Sequence, residues 1–494
     1  MILFTSILLP FISMILSFMI KKSGANKRVA LFMTSISFLW SLILIPVIQS
    51  KGILVLKVGD WDTPIGITLV ADRFSIFMLL ISSFVVLITT IYSTQAVKKS
   101  IRKNGFFGFT FGVLMGVNGA FLAGDIFTLF IWLEVILFSS FALITLGGKR
   151  NKLKGTRKYL LINLFSTFFM LGGMVLIHNI TGTINIAALS LQISQIKDLS
   201  SIALGLILFL IGLIIKGALF PFYYWSTTSY KSSLLSVTAL LAGLLSNIGI
   251  YILIRFYTLF LQHDLFFWSQ ILLWVGGISI VAGAIMASIQ NNIRSLLSFH
   301  IFIQVGYIII ALAFNTLAGL TAAIFFIAHN MLAKTNIFLV AGWIYKRKGT
   351  LDLNSLNDEV KQSRIWGFLF FISAFSLVGL PPLSGFIGKY LVLKAGVDSH
   401  HLGISMVALF IGLITLYAMV KVWMAVFWKT PFTNSLPPIL SIKIKDQWML
   451  SASIILAIDI IGLVIWAQPT INYCMSTATD LLDTAKYVNN VLGN

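Results

Sequence analysis

The sequence predicts an all-α polytopic membrane protein of about 14 transmembrane helices, and three observations lead to this fold class. Hydrophobic residues make up 58% of the 494 residues and charged residues only 10%, a composition that excludes an ordinary soluble domain. Apolar segments long enough to span a bilayer recur along the whole chain. Basic clusters separate these segments in alternation, so the net charge of +20 indicates membrane topology and not nucleic-acid binding.

The apolar segments begin at the N-terminus. The first has no basic region before it and no small-residue cleavage site, so it indicates a retained helix and not a signal peptide. The predicted segments are 2–20, 29–49, 73–96, 106–123, 125–146, 159–180, 201–222, 232–254, 267–289, 295–314, 317–344, 366–395, 404–428 and 449–468.

The loops between these segments differ in charge. One side receives "KKSGANKR", "KKSIRKNG", "GGKRNKLKGTRK", "YKRKGTLDLNSLNDEVKQSR" and "SIKIKDQ", which hold most of the 35 Lys and Arg. The positive-inside rule places this side in the cytoplasm and both termini outside. The first external loop, with the turn signals "GDWD" and "TPIG", predicts a short β-hairpin, and the final 25 or so residues predict an amphipathic helix.

Several ionisable residues lie inside the apolar segments. Each charge at the middle of a bilayer costs about 2.5–3.5 kcal/mol, so a group of them indicates a polar path through the protein interior. Glu134 lies about 13.5 Å along its helix from Asp125, near the middle of the bilayer. The intramembrane lysines are Lys216, Lys334, Lys389 and Lys421.

Some of these candidates have a structural alternative. Asp125 opens its segment and is placed as an N-cap, with a transport role as the alternative. Lys421 lies near the cytoplasmic end of its segment and could extend its ammonium to the interface. His329 shares a segment with Lys334, and His300 has Gln304 one turn away; for both histidines a structural role and a proton-carrying role stay open.

Two segments are interrupted by proline. Pro221 follows "IIKGALF" in the seventh segment, and Pro381 and Pro382 stand in "GLPPLSGFIGK" in the twelfth. Proline removes a backbone donor and breaks a helix. Five segments separate the two breaks, which predicts two inverted five-helix repeats, spans 4–8 and 9–13, with broken helices 7 and 12. The predicted units are 1–104, 105–256, 257–430 and 431–494.

Five stretches carry a resemblance to a known family: "GDIFTLFIWLEVILFSSF", "IIKGALFPFYYW", "NNIRSLLSFHIFIQVGYIII", "AHNMLAKTNIFLVAG" and "GLPPLSGFIGKYLVLKAG". The chain resembles the proton-translocating antiporter-like family. That family comprises large membrane subunits of respiratory complex I and of multisubunit Mrp/Mnh cation/proton antiporters. The stretches cover roughly residues 105 to 396.

The resemblance implies a proton path. Glu134 and Lys216 stand where the family has a modulating ion pair, and His329, Lys334 and Lys389 stand on its central axis. It also implies a bacterial cell membrane, other membrane subunits as partners, and no cofactor. Asn247 departs from the family pattern, which has a lysine there; Thr128 replaces an asparagine and "STTSY" replaces "LPDAY". An amide cannot exchange a proton, although it can hold water.

The expected function is therefore a transporter subunit that couples H⁺ uptake to Na⁺ or K⁺ efflux. One alternative is a proton-pumping subunit of complex I or a membrane-bound hydrogenase. Another, motivated by Asn247, is a degenerate structural subunit of the same assembly. The sequence has a single cysteine and no motif for a metal site or for an enzyme.

Overall fold

The computed structural model describes residues 2–59, 66–146, 150–196, 200–261, 265–356, 364–428 and 446–493. Within these ranges, eleven helices are long and apolar enough to cross a membrane, and three shorter apolar helices accompany them. Each predicted segment overlaps one of these fourteen helices, so the all-α membrane fold is confirmed; the number of crossings stays a prediction.

The helices, in chain order, are α1 (Ile2–Met19), α2 (Ser23–Lys51), α3 (Arg73–Ala96), α4 (Lys99–Lys103), α5 (Phe106–Leu122), α6 (Ile126–Thr145), α7 (Arg150–Thr181), α8 (Ile186–Gln195), α9 (Ser200–Lys216), α10 (Tyr224–Ser232), α11 (Leu235–Phe260), α12 (Leu265–Ser288), α13 (Ile293–Ala313), α14 (Leu317–Lys348), α15 (Arg364–Val378), α16 (Ser384–Asp398), α17 (Leu402–Trp423, continued by a π-helical turn Met424–Trp428), α18 (Gln447–Ile465), α19 (Ala467–Leu482) and α20 (Thr484–Leu492). The strands are β1 (Leu54–Val58) and β2 (Ile67–Ala71).

The centre of the bundle is formed by α11, α13 and α14. The most apolar part of each of these helices is buried along its whole length. In α1, α2, α7, α17 and α18 only a third of that part is buried, so these helices present apolar side chains outward. Polar and ionisable residues of membrane-spanning helices face the interior of the bundle, because lipid offers them no hydrogen-bond partner. Polar residues on the three central helices are therefore kept away from lipid.

The predicted hairpin is present in the first loop. β1 pairs antiparallel with β2, from Leu54 opposite Ala71 to Val58 opposite Ile67, while most of its turn lies outside the described residues. Gly124 N donates a hydrogen bond to Thr68 O (2.8 Å), which ties the hairpin to the start of α6. We call this the hairpin end of the bundle.

The predicted C-terminal amphipathic helix is present as two helices, α19 and α20. On α19, Cys474, Ala478 and Leu481 face inward and are buried. At the hairpin end, Asp480 pairs with Arg73 at the start of α3 (2.9 Å). The C-terminus therefore packs against the first half of the chain.

The opposite end of the bundle, which we call the basic end, gathers cations from four elements. Lys98 precedes α4, Lys231 lies on α10, Arg294 opens α13 and Lys346 closes α14, and all four line one cavity. This convergence of distant sequence clusters agrees with the predicted alternation of charge.

A backbone feature shows the internal repeat. Asp125 pairs with Asn185 in an isolated antiparallel bridge, and Asn292 pairs with Asp352 in the same way. The two bridges are equivalent at a sequence offset of 167 positions, since 125 corresponds to 292 and 185 to 352. The backbone hydrogen bonds beside them correspond at the same offset. α7 and α14 shift by the same number and have 32 residues each. The first bridge lies at the hairpin end and the second at the basic end, as an inverted repeat requires.

The two helix breaks repeat as well. Residues 217–223 separate α9 from α10, and residues 379–383 separate α15 from α16, so the predicted prolines lie within the breaks. The backbone turns into the left-handed region at Ala218 (φ 56°) and at Gly379 (φ 89°). Three hydrogen bonds around each turn match at a shift of 161, including Leu219 N to Ile214 O and Leu380 N to Phe375 O.

Candidate functional site

Glu134 and Lys216 approach each other at the first break. Glu134 lies on α6, and Lys216 is the last residue of α9, where the helix dipole favours a cation. Lys216 Nζ is 3.9 Å from Glu134 Oε1, and the two side chains are 8% and 19% exposed. Thr167 Oγ1 on α7 donates a shorter bond (2.5 Å) to the same carboxylate oxygen. The carboxylate is therefore held by the hydroxyl and lies within reach of the ammonium.

A small cavity of about 20 Å³ adjoins Lys216, enough for one water molecule. Its polar lining comes from Tyr159, Asn163 and Trp225, and its apolar lining from α6 and α11. Tyr159 Oη and Ser140 Oγ share a hydrogen bond (2.6 Å), and Trp225 Nε1 donates to Ile215 O (2.8 Å). A water molecule in this cavity would lie next to Lys216 and to these polar side chains.

Asn247 lies on α11, one helix away from the break. Its Nδ2 donates to Gly243 O (2.7 Å), while Oδ1 has no hydrogen-bond partner in the described chain. Two residues further on, α11 touches the break backbone to backbone: a Cβ at Gly249 would lie 2.6 Å from Gly217 N. α11 therefore adjoins the first break, and Asn247 offers an acceptor oxygen that no described residue uses.

The next polar residues lie on α14. His329, Asn330 and Lys334 are buried to 2% exposure or less. Neither Lys334 Nζ nor the amide of Asn330 has a hydrogen-bond partner among the described residues. At the repeat shift of 167, Lys334 corresponds to Thr167 and Asn330 to Asn163. The second repeat thus carries a lysine where the first carries the hydroxyl that holds Glu134.

Lys389 and His329 meet at the second break. Lys389 Nζ donates to Val378 O (2.7 Å), the last residue of α15, and lies 4.6 Å from the centre of the Tyr307 ring. His329 Nδ1 shares a hydrogen bond with Ser384 Oγ (3.0 Å), while its Nε2 has no partner in the described chain. Lys389 lies on α16, after the second break, and its side chain extends back to that break. Lys216, in contrast, is the last residue of α9, before the first break.

His300 lies on α13, beside this second group. It is 2% exposed, and neither ring nitrogen makes a hydrogen bond with the described residues. Its neighbour Gln304 donates to Leu377 O (2.9 Å), close to the carbonyl that Lys389 binds. The structure therefore brings His300 to the same break as His329, and both histidines keep a free nitrogen.

Two accessory candidates lie outside this polar line. Asp125 caps α6, as expected, since its Oδ1 accepts from Thr128 N (2.6 Å). Lys421 closes the far end of α12 by donating to Gln290 O (3.0 Å) and Asn291 Oδ1 (2.8 Å). Both side chains have local structural partners.

Several residues of the site were not predicted from the sequence. Thr167, Tyr159, Tyr307 and Ser384 complete the surroundings of the charged groups, and nothing in their local sequence distinguishes them. Only the repeat shift, which aligns Thr167 with Lys334, could have drawn attention to one of them. Among the described residues, no group of three or more His, Cys, Asp or Glu is arranged to hold a metal ion.

Comparison with known proteins gives consistent matches. Residues 123–415 match the family described as NADH:quinone oxidoreductase/Mrp antiporter, TM. The chain is 34% identical to a Na⁺/H⁺ antiporter subunit of Alkalihalophilus pseudofirmus, with 98% of each chain covered. Its fold is similar to a chain of the Mrp complex from Dietzia sp. (25% identity, TM-score 0.91, 99% of each chain). It also resembles a chain of respiratory complex I from Thermus thermophilus (18% identity, TM-score 0.83, covering 98% and 99%), which shows the fold alone.

Proposed function

Because the chain belongs to the NADH:quinone oxidoreductase/Mrp antiporter transmembrane family, we propose that it is a membrane subunit of a multisubunit monovalent cation/proton antiporter. H⁺ uptake would drive Na⁺ or K⁺ efflux. The observation that carries this proposal is the Glu134–Lys216 pair, placed at a helix break inside the membrane domain with a water-sized cavity beside it. Broken helices in repeated units are typical of transport sites.

The first half would use the pair as a charge switch. While Lys216 is protonated, its ammonium stabilises the Glu134 carboxylate at 3.9 Å. When Lys216 loses its proton, Glu134 keeps only the bond from Thr167 Oγ1, and a negative charge is left in a medium of low dielectric constant. Two ionisable groups so close titrate as a unit, so a proton that moves at one site changes the occupancy of the other.

The second half would receive the proton. Lys334, His329 and Lys389 form a buried group in which unpaired donors and acceptors can be joined by water. Lys389 would exchange a proton at the break, where the backbone carbonyl of Val378 holds its ammonium. Between the halves, we propose that water at Asn247 Oδ1 replaces the lysine found in other family members.

The same proposal extends to the setting of the chain. It would lie in the cytoplasmic membrane of a bacterium with both termini outside and the basic end in the cytoplasm. Its partners would be the other membrane subunits of the antiporter, and it would need no cofactor of its own.

The test uses the complete antiporter complex reconstituted in vesicles. Glu134→Ala and Lys216→Ala are expected to abolish cation/proton exchange while the complex still assembles, because each removes one charge of the pair. Lys158→Ala, a change of an exposed cation on α7, serves as the control and should exchange normally. Exchange at the wild-type rate in both pair variants would refute the mechanism.

A redox-driven pump subunit is the second candidate, since the matching family is described as including NADH:quinone oxidoreductase as well as the Mrp antiporter. Co-purifying subunits distinguish the two. Small antiporter subunits support the first proposal, and iron–sulfur or flavin subunits support the second. A degenerate structural role is tested by Asn247→Lys, because unchanged exchange in an already active complex would remove that third candidate.

A further inference from the structure

A cavity at the basic end has a lining suited to an anion. It measures about 770 Å³, within the range of about 300–1,000 Å³ typical of ligand sites, and lies between the ends of α3, α11, α13 and α14. Lys98, Lys231, Arg294 and Lys346 contribute to its wall. Among the described residues, neither Asp nor Glu lines it.

The start of α11 opens into this cavity. Leu234, Leu235 and Ser236 all line it, and Leu234 is the N-cap of a 26-residue helix without a side-chain hydrogen bond that closes the first turn. The amides of a first turn have no partners within the helix, and the helix dipole places a partial positive charge there. Such a helix start is suited to phosphate.

Arg294 supplies a second, independent observation. Its Nη1 donates to Lys231 O (2.8 Å) and to Ser233 O (3.1 Å), which fixes the guanidinium in the wall. Its Nε is buried and makes no hydrogen bond with any described residue. Arg294 thus places a fixed guanidinium in the wall beside two exposed lysines, Lys98 and Lys231, and this concentration of positive charge favours an anionic ligand.

Lys346 contributes less than the other cations. Its Nζ is 2.9 Å from Asp446 Oδ1, so its charge is already balanced. Lys98, Lys231 and Arg294 form no ion pair within the described chain. Three cations without an acidic partner among the described residues surround this cavity, and they disfavour its occupation by Na⁺ or K⁺.

We propose that this cavity binds a phosphate-bearing anion, held by Arg294, Lys231 and the first-turn amides of α11. The phosphate could come from an anionic lipid headgroup or from free phosphate in solution, since both present the same oxygens. The site is separate from the buried Lys–Glu–His line and does not depend on its role in transport.

The experiment measures binding to the purified, delipidated complex. Radiolabelled inorganic phosphate is followed by equilibrium dialysis, and short-chain phosphatidylglycerol by native mass spectrometry. Arg294→Gln and Lys231→Gln are each expected to weaken binding about tenfold or more, since a charge-assisted hydrogen bond is lost. Lys21→Gln, which removes an exposed cation between α1 and α2 that does not line the cavity, should bind as the wild type does.

Either probe can support the proposal, and the two identify the source. Binding of phosphate alone supports a soluble ligand, and binding of phosphatidylglycerol alone supports a headgroup. The proposal is overturned if neither probe binds the wild type at millimolar concentration, or if both variants bind like the wild type. Should Arg294→Gln fail to assemble, the exposed Lys231→Gln variant decides the matter.

Discussion

The hydroxyl of Thr167 shows how single residues set the properties of the site. A buried carboxylate needs hydrogen bonds as well as a counter-charge, because the attraction of one cation rarely repays desolvation. Glu134 receives a bond from Thr167 at 2.5 Å, while the Lys216 ammonium is more distant at 3.9 Å. The ammonium is thus free to change its distance or its proton without leaving the carboxylate unbound.

Replacement of Thr167 by valine tests this arrangement. Thr167→Val keeps the shape of the side chain and removes the donor to Glu134, so exchange should slow about tenfold, the equivalent of one hydrogen bond to a charged group. The rate is measured in vesicles that contain the complete complex. Thr167→Ser should retain most activity, and Thr181→Val, a change near the end of the same helix, is the matched control. An unaltered rate in Thr167→Val would show that the hydroxyl is not needed.

A second residue-scale prediction concerns Lys389. Lys389→Met has a similar volume but cannot carry a proton or donate to Val378 O, so we expect exchange to fall to the level of empty vesicles. Lys394→Met, an exposed position on the same helix, should leave exchange intact. Normal exchange in Lys389→Met would exclude this lysine from the path.

The sequence predicted residues of this kind only in part. Glu134, Lys216, Lys334, Lys389 and His329 could be chosen because a charge or an imidazole inside an apolar segment is unusual. Hydroxyls such as that of Thr167 are common in membrane helices, and their partners depend on how distant helices pack. Whether the predicted residues carry protons stays a prediction.

At the scale of elements, the first break depends on close contact with α11. A Cβ on Gly249 would lie 2.6 Å from Gly217 N and 2.8 Å from Lys216 C. These are backbone atoms, so no side-chain rotation can relieve the contact. The position of the Lys216 ammonium therefore depends on the absence of a side chain on the neighbouring helix.

Gly249→Ala should accordingly destabilise the protein by about 1–3 kcal/mol, because the added methyl group overpacks the contact. The thermal unfolding temperature of the purified complex should fall, and exchange should decrease with it. Gly403→Ala on α17 is the control, since its Cβ meets no atom within 4 Å. Equal stability of Gly249→Ala and the wild type would contradict the described packing.

Both broken helices could be predicted from the sequence, because Pro221, Pro381 and Pro382 each stand close to a glycine and a lysine within an apolar segment. Proline alone does not end a helix here, since α1 and α2 continue through Pro10 and Pro46. The contact between Gly249 and Gly217 could not, because it joins residues of two helices and each glycine alone resembles many others in membrane segments. The division of the C-terminal region into α19 and α20 was also missed. Asp483, whose side chain accepts from Lys486 N (2.9 Å), caps the second of these helices and separates the two.

At the scale of the whole molecule, the C-terminal helices connect the end of the chain to its first third. Asp480 pairs with Arg73 (2.9 Å) and with Lys486 (2.6 Å). Tyr487 of α20 lies 5.7 Å from the guanidinium of Arg255, which pairs with Asp72 beside the start of α3 (2.5 Å). The C-terminal helices thus cover the hairpin end. This placement agrees with the prediction that α19, α20 and the hairpin lie on the same side of the membrane.

The orientation of the chain can be tested by cysteine labelling. Burial raises the pKa of the Cys474 thiol from 9.0 to about 12, so this thiol stays protonated and unreactive at pH 7–8. The native chain should therefore give no background. Asn490→Cys should react with an impermeant maleimide on intact cells, whereas Ser100→Cys should react only after permeabilisation. The reverse pattern would place the basic end outside the cell.

The two repeated bridges, Asp125–Asn185 and Asn292–Asp352, have a mechanical consequence. Each bridge joins the loop after a 32-residue helix to the start of the helix that precedes it, and each does so at one end of its own repeat. Among the described residues, each repeat has such a bridge at one of its ends, and the two bridged ends lie on opposite sides of the molecule. If the two repeats tilt against each other, we expect the gap between them to widen at one end of the molecule and to narrow at the other. The two bridges would then act as pivots at opposite ends of the molecule, and water would reach the interior from one side at a time.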